Sequence, residues 1–368
     1  MRKKPFSPGE GKTEVDIPFN GGKRRFFDLL PHTAEIVRDP PRIEAFQAYY
    51  GVLKDCFPVG LPEKDELLEI YGRVLINSFN VMNEDYQSVG IGLYLAASVL
   101  DHSCVPNAAV VFDGLRLKVR VTDPDLKSIS DIRDLRISYT HLLNETEMRR
   151  KELREQYYFT CDCDRCQGDY EQGKEQFKLN CAKCPDCNGP VAVKGDKTCG
   201  KCGREMTKKE TRRFRELKEE VIDKCFRNKG GHPEPMELSY DFVAEGRDVF
   251  HPCDKLYLDL LEYVFQGHFD KADWEKAMEV GLVIIEGYKV LYPRNDVNTA
   301  LLHLKIGKMA NYLTRLAVAF EHLTSGMKIL EVTHGSDHPL CRNTVLPMLE
   351  EIRYDMRVMP ENSQKMIR

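Results

Sequence analysis

Two closely spaced cysteine pairs constrain the fold of this chain more than any other feature of its sequence. Cys184 and Cys187 form one C-x-x-C motif, Cys199 and Cys202 form a second, and eleven residues separate the two. Four thiolates surround one Zn²⁺ when each pair lies in a tight turn, and a glycine follows each pair within two residues. The spacing predicts a zinc ribbon, with Cys181 as a spare thiol that could replace one ligand.

A second cysteine cluster lies just upstream of the ribbon. Cys161, Cys163 and Cys166 form a C-x-C-x-x-C motif. Three thiolates do not complete a structural tetrahedron, so a fourth ligand has to come from elsewhere in the chain. Cys104 is the best candidate, and the neighbouring His102 is more typical of a hydrogen-bonding residue than of a ligand. On spacing alone, the composition of this second site stays open.

Composition restricts the environment of the chain. Thirteen cysteines without an apolar signal segment favour a reducing compartment, where thiols remain available for metals. No apolar run reaches the roughly 18 residues of a membrane span. The net charge of −4 argues against a nucleic-acid surface over the whole chain. We expect a cytoplasmic and nuclear protein without a membrane or nucleic-acid partner.

Sequence patterns divide the chain into four parts and favour an α+β fold. A Gly-rich basic tail over 1–25 is expected to be disordered. Residues 26–166 contain two helices between 41 and 79 and a hairpin turning at Asp113-Gly114. Residues 167–230 hold the ribbon and a basic helix, whose apolar stripe indicates an amphipathic helix docked on the protein rather than a nucleic-acid surface.

The C-terminal part, residues 231–368, has a helical pattern from about residue 256 onward. Helices are expected near 256–268, 271–291, 297–312, 315–332 and 338–357. A loose repeat of 42 residues suits paired helices of the tetratricopeptide (TPR) kind, and an ordinary helical bundle fits equally well.

Four motifs occur in an order that is characteristic of one enzyme family. They are Leu93-Tyr94, Ser98-Val-Leu-Asp101-His102-Ser103-Cys104-Val-Pro106-Asn107, Ile137-Ser138-Tyr139, and Gln156-Tyr157-Tyr158-Phe159-Thr-Cys161-Asp-Cys163-Asp-Arg-Cys166. Together they resemble the C-terminal half of a SET domain with its post-SET zinc cluster, as carried by the SMYD (SET and MYND) protein lysine methyltransferases. The resemblance runs from about Phe26 to Cys166, and the final helices look like the C-terminal domain of that family.

The resemblance implies a partial, β-rich SET core, a post-SET zinc site and S-adenosylmethionine as the cofactor. It assigns a post-SET zinc ion to Cys104, Cys161, Cys163 and Cys166. It assigns the catalytic hydroxyl to Tyr139. It assigns cofactor binding to His32, Asn77, Asp101, His102, Tyr139 and Phe159. It assigns the walls of the substrate lysine channel to Phe79, Ser98 and Tyr157. The partners it implies are a protein that presents a lysine, histone or other, and a peptide in the helical groove.

The expected chemistry agrees with these residue types. Methyl transfer from a sulfonium to an amine is an in-line displacement, so the enzyme has to align the two groups and exclude water. A narrow aromatic channel serves both purposes. Tyr139 is interpreted as an orienting hydroxyl rather than a base, because the reference pKa of tyrosine is about 10.

The sequence departs from the family pattern at several places, one of which is the loop from Ser128 to Asp134 in place of the family's acidic turn before the catalytic tyrosine. Asp101 stands where the family motif begins with asparagine. No cysteine precedes Cys56, so we expect the chain to lack the N-terminal SET segment and the MYND zinc module. Gly90-Ile-Gly92 precedes the Asp101 motif and is interpreted as a turn rather than as the cofactor loop. The alternative hypothesis is a catalytically inactive homologue that acts as a zinc-stabilised protein-interaction module.

Overall fold

The computed structural model describes most of the chain and divides it into two compact units. The described residues are 14–18, 21–84, 86–126, 128–167, 179–193, 195, 197–226 and 236–358. The first unit consists of residues 1–140 and 147–163, and the second consists of 141–146 and 164–368. Among the described helices, none combines the length and the apolar character that crossing a bilayer requires.

The first unit combines helices with small two-stranded sheets. Its helices are α1 (Thr33–Val37), α2 (Pro40–Cys56), α3 (Lys64–Asn77) and α4 (Thr146–Tyr157). Its strands are β1 (Glu14–Ile17), β2 (Gly22–Arg25), β3 (Ser78–Met82), β4 (Ser88–Leu93), β5 (Asp101–His102), β6 (Ala108–Asp113), β7 (Arg116–Val121) and β8 (Arg136–Ile137). The pairs are β1 with β2, β3 with β4, β5 with β8, and β6 with β7.

Helices α2 and α3 confirm the two helices predicted between residues 41 and 79. Prolines at the first positions of α2 suit a helix start, because the amide hydrogens there have no partner in the helix. Phe46 of α2 is buried, and its ring lies 5.4 Å from that of Tyr71 in α3. Gly72 lets α3 approach the loop before α1, since an added Cβ would lie 1.9 Å from the carbonyl oxygen of Pro31.

Two local predictions differ from the structure. Residues 14–17 and 22–25, within the predicted disordered tail 1–25, form the β1–β2 hairpin instead, while 1–13 and 19–20 lie outside the described residues. The second hairpin turns one residue later than predicted. Asp113 pairs with Arg116, so the loop is Gly114-Leu115, and Gly114 adopts a left-handed φ of 58°.

A short parallel pairing brings distant segments of the first unit together. Asp101 and His102 of β5 pair with Arg136 and Ile137 of β8. The side chain of Asn107 supports the junction, because its Oδ1 accepts from the N–H of Arg136 at 2.7 Å and its Nδ2 donates to the carbonyl of Asp134 at 3.0 Å. The motif that contains Asp101 is thereby fixed beside the segment that leads to Tyr139.

The second unit contains the ribbon strands and the C-terminal helices. Its elements are α5 (Asp164–Gln167), β9 (Cys181–Lys183), β10 (Pro190–Ala192), α6 (Lys208–Val221), a π-helical turn (Ile222–Phe226), α7 (Met236–Gly246), α8 (Lys255–Asp270), α9 (Trp274–Leu291), α10 (Val297–Tyr312), α11 (Leu316–Thr333), a second π-helical turn (Leu340–Val345) and α12 (Leu346–Val358). The five helical segments predicted from residue 256 onward are confirmed within a few residues at each end, apart from the π-helical start of the last one.

Helices α8 to α12 contact their sequence neighbours in turn, and a continuous apolar core runs through them. Close approach of α10 to α11 depends on glycine. A Cβ on Gly307 would lie 2.6 Å from Cγ of Leu323, and one on Gly326 would lie 3.0 Å from Cδ2 of Leu304. Larger residues at these positions would force the two helices apart.

Candidate active site and zinc sites

The ribbon cysteines have the geometry of a zinc site. The sulfur atoms of Cys184, Cys187, Cys199 and Cys202 all lie within 4.8 Å of one another. The Sγ atoms of Cys184 and Cys202 are 3.6 Å apart, and those of Cys187 and Cys199 are 3.4 Å apart. A tetrahedral ion with Zn–S bonds of about 2.3 Å requires sulfur separations of about 3.8 Å. These four thiols therefore fit one Zn²⁺.

The two halves of the ribbon are built alike. In each half the N–H of the first cysteine donates to the carbonyl five residues later, at 2.8 Å for Cys184 and 2.7 Å for Cys199. The residue after the second cysteine is left-handed in both, with φ of 59° at Asn188 and 76° at Gly203. Both residue types tolerate this conformation, and a tight turn carries each pair of thiols.

Gly189 leaves space beside the sulfur atoms. An added Cβ would lie 3.2 Å from Sγ of Cys199 and 3.3 Å from Sγ of Cys187. The N–H of Gly189 also bonds to the sulfur of Cys187, which suits a metal-bound thiolate. The spare ligand proposed for this site is wrong within the described residues. Cys181 is fully buried in β9 and lies outside the group of four.

The second cluster gathers Cys104 with the C-x-C-x-x-C motif. The sulfur atoms of Cys104, Cys161, Cys163 and Cys166 all lie within 4.8 Å of one another. The Sγ atoms of Cys104 and Cys161 are 3.9 Å apart, close to the edge of a zinc tetrahedron. This group too has the geometry to hold one Zn²⁺, and Cys104 is the fourth thiol that the spacing left open.

A buried arginine balances the charge of this second cluster. The side chain of Arg149 in α4 is fully buried, and its Nε lies 3.2 Å from Sγ of Cys104. Four thiolates around a divalent ion carry a net charge of −2, so a guanidinium beside them lowers the free energy of the buried site. We did not predict this residue. Nothing in the sequence marks it, because α4 contains several other basic residues.

His102 connects the zinc cluster to the tyrosine segment. Its Nδ1 accepts a hydrogen bond from the N–H of Tyr139 at 3.0 Å. This bond assigns the proton of the neutral ring to Nε2, which lies 3.2 Å from Sγ of Cys104. The imidazole therefore donates to a thiolate on one side and fixes the backbone of Tyr139 on the other. Its ring nitrogens are both occupied by protein contacts.

Tyr139 belongs to a group of four aromatic rings. Its centroid lies 4.9 Å from that of Tyr157, 5.4 Å from that of His102 and 6.5 Å from that of Phe159. Its hydroxyl donates to the carbonyl of Leu100. Burial raises the pKa of Tyr139 well above its usual value, and the neighbouring carboxylate of Asp101 and hydroxyl of Tyr157 raise it further. The phenol is therefore neutral at physiological pH.

The other predicted site residues make different contacts. The ring of His32 lies 5.6 Å from that of Tyr158, and the ring of Phe79 lies 6.1 Å from that of Tyr94. The amide of Asn77 donates to the carbonyls of Leu30 and Arg73, and the hydroxyl of Ser98 donates to the carbonyl of Leu95. Asp101 is exposed at the start of β5. Of the predicted residues, Tyr139, Tyr157, Phe159 and His102 thus form the ring cluster.

Comparison with known proteins gives relatives that include lysine methyltransferases. No protein-family model matches the chain. Histone-lysine N-methyltransferase SMYD3 of Homo sapiens is 30% identical over 302 residues, which are 81% of this chain and 61% of that protein. N-lysine methyltransferase SMYD2 of Homo sapiens is 28% identical over 283 residues, 76% of this chain and 60% of that protein. SMYD2-B of Danio rerio is 28% identical over 282 residues, 75% and 58% of the two chains.

The similarity agrees with the ordered motifs that run from Leu93 to Cys166. It extends over about four fifths of this chain, and the chain spans about three fifths of the length of the curated relatives it matches. The ordered motifs and the cysteine cluster that includes Cys104 support placing this chain in the same family as these relatives. The chain belongs to the SMYD family.

Proposed function

We propose that this chain is an S-adenosylmethionine-dependent protein lysine N-methyltransferase. The observation that carries the proposal is the convergence of Tyr139, Tyr157 and Phe159 beside the link from His102 to Cys104. The relatives are named as lysine methyltransferases, which is the same class of reaction.

The aromatic cluster suits the reactants. Aromatic faces attract cations. Both the sulfonium of the cofactor and the ammonium of an incoming lysine are cations. When bound, S-adenosylmethionine supplies the methyl group on its sulfonium. The residues that would hold it by resemblance are His32, Asn77, Asp101, His102 and Phe159. The exposed carboxylate of Asp101 supplies a negative charge, although it cannot donate the hydrogen bond of an asparagine amide.

Tyr139 would orient the amine. Its hydroxyl donates to the carbonyl of Leu100, so its oxygen keeps lone pairs that can accept an N–H of the lysine. The raised pKa of Tyr139 keeps it from acting as a base at neutral pH. Burial of the lysine among these rings lowers its pKa from about 10.4 and favours the neutral, nucleophilic amine.

Methyl transfer to histones and to lysine peptides tests the proposal. Purified chain is incubated with labelled S-adenosylmethionine, and we expect incorporation that falls about 100-fold in Tyr139→Phe. Tyr354→Phe is the matched control, since Tyr354 is an exposed tyrosine of α12. Absence of both incorporation and calorimetric cofactor binding in a chain that retains two zinc ions would contradict the proposal and favour the non-catalytic interaction module.

The finer features follow from the same proposal. The partner is a protein that presents a lysine, histone or other, and helices α8 to α12 form a TPR-like groove for a peptide. The many reduced thiols suit the cytoplasm and the nucleus. The division into 26–166, 167–230 and 231–368 remains part of the proposal.

A further inference from the structure

The backbone of Tyr158 is unusual at a position between two residues of the ring cluster. Tyr158 has a left-handed φ of 60°. Bulky L-residues rarely adopt this conformation, so surrounding contacts have to stabilise it. Successive side chains of an extended segment point to opposite sides. At this left-handed step the rings of Tyr157 and Phe159 both lie near Tyr139, 6.5 Å from each other.

The side chain of Tyr158 is held by the start of α2. Its hydroxyl donates to Oδ2 of Asp39 at 3.0 Å, and the guanidinium of Arg42 lies 4.9 Å from its ring centroid. Arg42 also donates through Nη2 to the carbonyls of Glu155 at 2.7 Å and Gln156 at 3.1 Å, at the end of α4. Nε of Arg42 lies 3.4 Å from Oδ2 of Asp39, which completes the network.

These contacts satisfy groups that would otherwise lack partners. The last carbonyls of a helix have no partner within the helix, and a cation there also complements the helix dipole. Arg42 supplies hydrogen-bond donors to these carbonyls and a positive charge at the end of α4. The ring of His32, which also has a left-handed φ of 51°, packs against Tyr158 at 5.6 Å. Contacts from two helices thus offset the strain at Tyr158.

We propose that Asp39, Arg42 and Tyr158 form a clamp that positions Tyr157 in the wall of the lysine channel and Phe159 at the cofactor site. The catalytic role of the clamp rests on the proposed function, whereas the contacts that form the clamp do not depend on that function. The side chains of these three residues contact one another, His32 and the end of α4. They are therefore positioning residues, and they act through the two rings on either side of Tyr158.

Variants of the clamp test this proposal by kinetics. In Arg42→Ala we expect kcat for methyl transfer to fall about 10- to 100-fold, because small displacements of a channel wall misalign the reactants. KM for the cofactor should rise as well, because the resemblance assigns Phe159 to the cofactor site, whereas the zinc content should stay within about twofold of the original chain. Tyr158→Phe, which removes only the bond to Asp39, should have a smaller effect. Arg38→Ala is the matched control, since Arg38 is an exposed arginine for which the described residues offer no side-chain partner.

A spectroscopic readout separates failure of the clamp from failure of the proposed function. 4-Fluorophenylalanine at position 159 reports the ring environment by its ¹⁹F resonance, whether or not the chain transfers methyl groups. The resonance should shift or broaden in Arg42→Ala and stay unchanged in Arg38→Ala. Should Arg42→Ala not fold, Arg42→Lys and Tyr158→Phe provide the same comparison. An unchanged ¹⁹F resonance in folded clamp variants would overturn the proposal, whereas a shift without any activity would overturn only the enzymatic function.

Discussion

The two cysteine clusters reach similar geometry by different routes. In the ribbon, 18 positions separate Cys184 from Cys202, and backbone turns bring the thiols together. In the other cluster, 57 positions separate Cys104 from Cys161, and the parallel pairing of β5 with β8 is part of what brings distant segments together. One site is thus a property of a short segment, and the other depends on the fold around it.

The surroundings of the two clusters differ accordingly. Backbone N–H groups contact the ribbon thiols, and Cys202 is exposed. Buried or half-buried side chains, Arg149 and His102, contact Cys104. Metal in the ribbon therefore stabilises the ribbon itself. Metal at Cys104 is connected through the imidazole of His102 to the segment that carries Tyr139. Loss of this metal should therefore displace residues of the proposed active site.

The largest effect is expected from loss of a ligand. Cys104→Ser should release one zinc ion and abolish methyl transfer, whereas Cys202→Ser should release the other ion and leave part of the activity. Structural zinc contributes roughly 10–16 kcal/mol of binding free energy in small domains. Cys104→Ser should therefore lower the free energy of unfolding by more than about 4–5 kcal/mol, a loss that few single substitutions reach. Metal content by mass spectrometry, with urea unfolding, checks both. Equal loss of activity in the two variants would break the comparison.

A second contrast concerns the charges next to the sulfur atoms. Arg149→Met should lower the free energy of unfolding by about 3–5 kcal/mol, because it removes the cation beside a buried thiolate. Lys201→Met in the ribbon should cost less than about 1 kcal/mol, since the exposed ammonium of Lys201 donates to the carbonyl of Cys187 and not to a thiolate. Urea titrations of the two variants measure the difference. Similar costs would show that Arg149 does not balance a thiolate charge.

The third prediction addresses the imidazole link. His102→Phe keeps a ring but removes both hydrogen bonds, so we expect a loss of about 1–3 kcal/mol in stability and a kcat about tenfold lower. His251→Phe is the control, because His251 is a half-buried histidine whose Nδ1 accepts from a backbone N–H in the second unit. The control should lose stability without a matching loss of kcat. Unchanged kcat in His102→Phe would contradict the link.

The smallest effect is expected at the ribbon turns. Gly189→Ala introduces a Cβ within 3.3 Å of two sulfur atoms, and Gly203→Ala strains a left-handed turn. Each should cost about 1–2 kcal/mol and weaken zinc at this site alone, which competition with a chelator would measure. Asn188→Gly should cost less, because glycine adopts the same φ. Loss of the other zinc ion in Gly189→Ala would show that the two sites are not independent.

Local features of the structure could be predicted from the sequence, and features made by tertiary contacts could not. The ribbon ligands and the C-terminal helices follow from spacing and periodicity. Cys181 was misjudged because spacing does not show that its sulfur atom lies outside the group of four. Asp113-Gly114 indicated a hairpin, yet strand register moved the turn to Gly114-Leu115. Residues 14–17 and 22–25 form paired strands despite the basic, Gly-rich composition of the tail.

Site residues show the same limit. Tyr139, Tyr157 and Phe159 could be named through a family resemblance. The same resemblance assigned Cys104 as the fourth thiol of the second cysteine cluster. Arg149 is one of several charged residues in α4, and nothing in the spacing marks it as buried. The left-handed Tyr158 was missed because αL residues are most often Gly, Asn or Asp, and the sequence pattern carries no sign of the contacts that stabilise it.

The short parallel pairing of β5 with β8 has a consequence for the rate of refolding. Joining residues so far apart requires closure of a long loop, which costs chain entropy before any contact compensates it. Sets of distant contacts form slowly, whereas short loops close in well under a microsecond. On return from denaturant with zinc present, the ribbon should capture its ion first. The ion at Cys104 should follow at the rate at which the chain assembles.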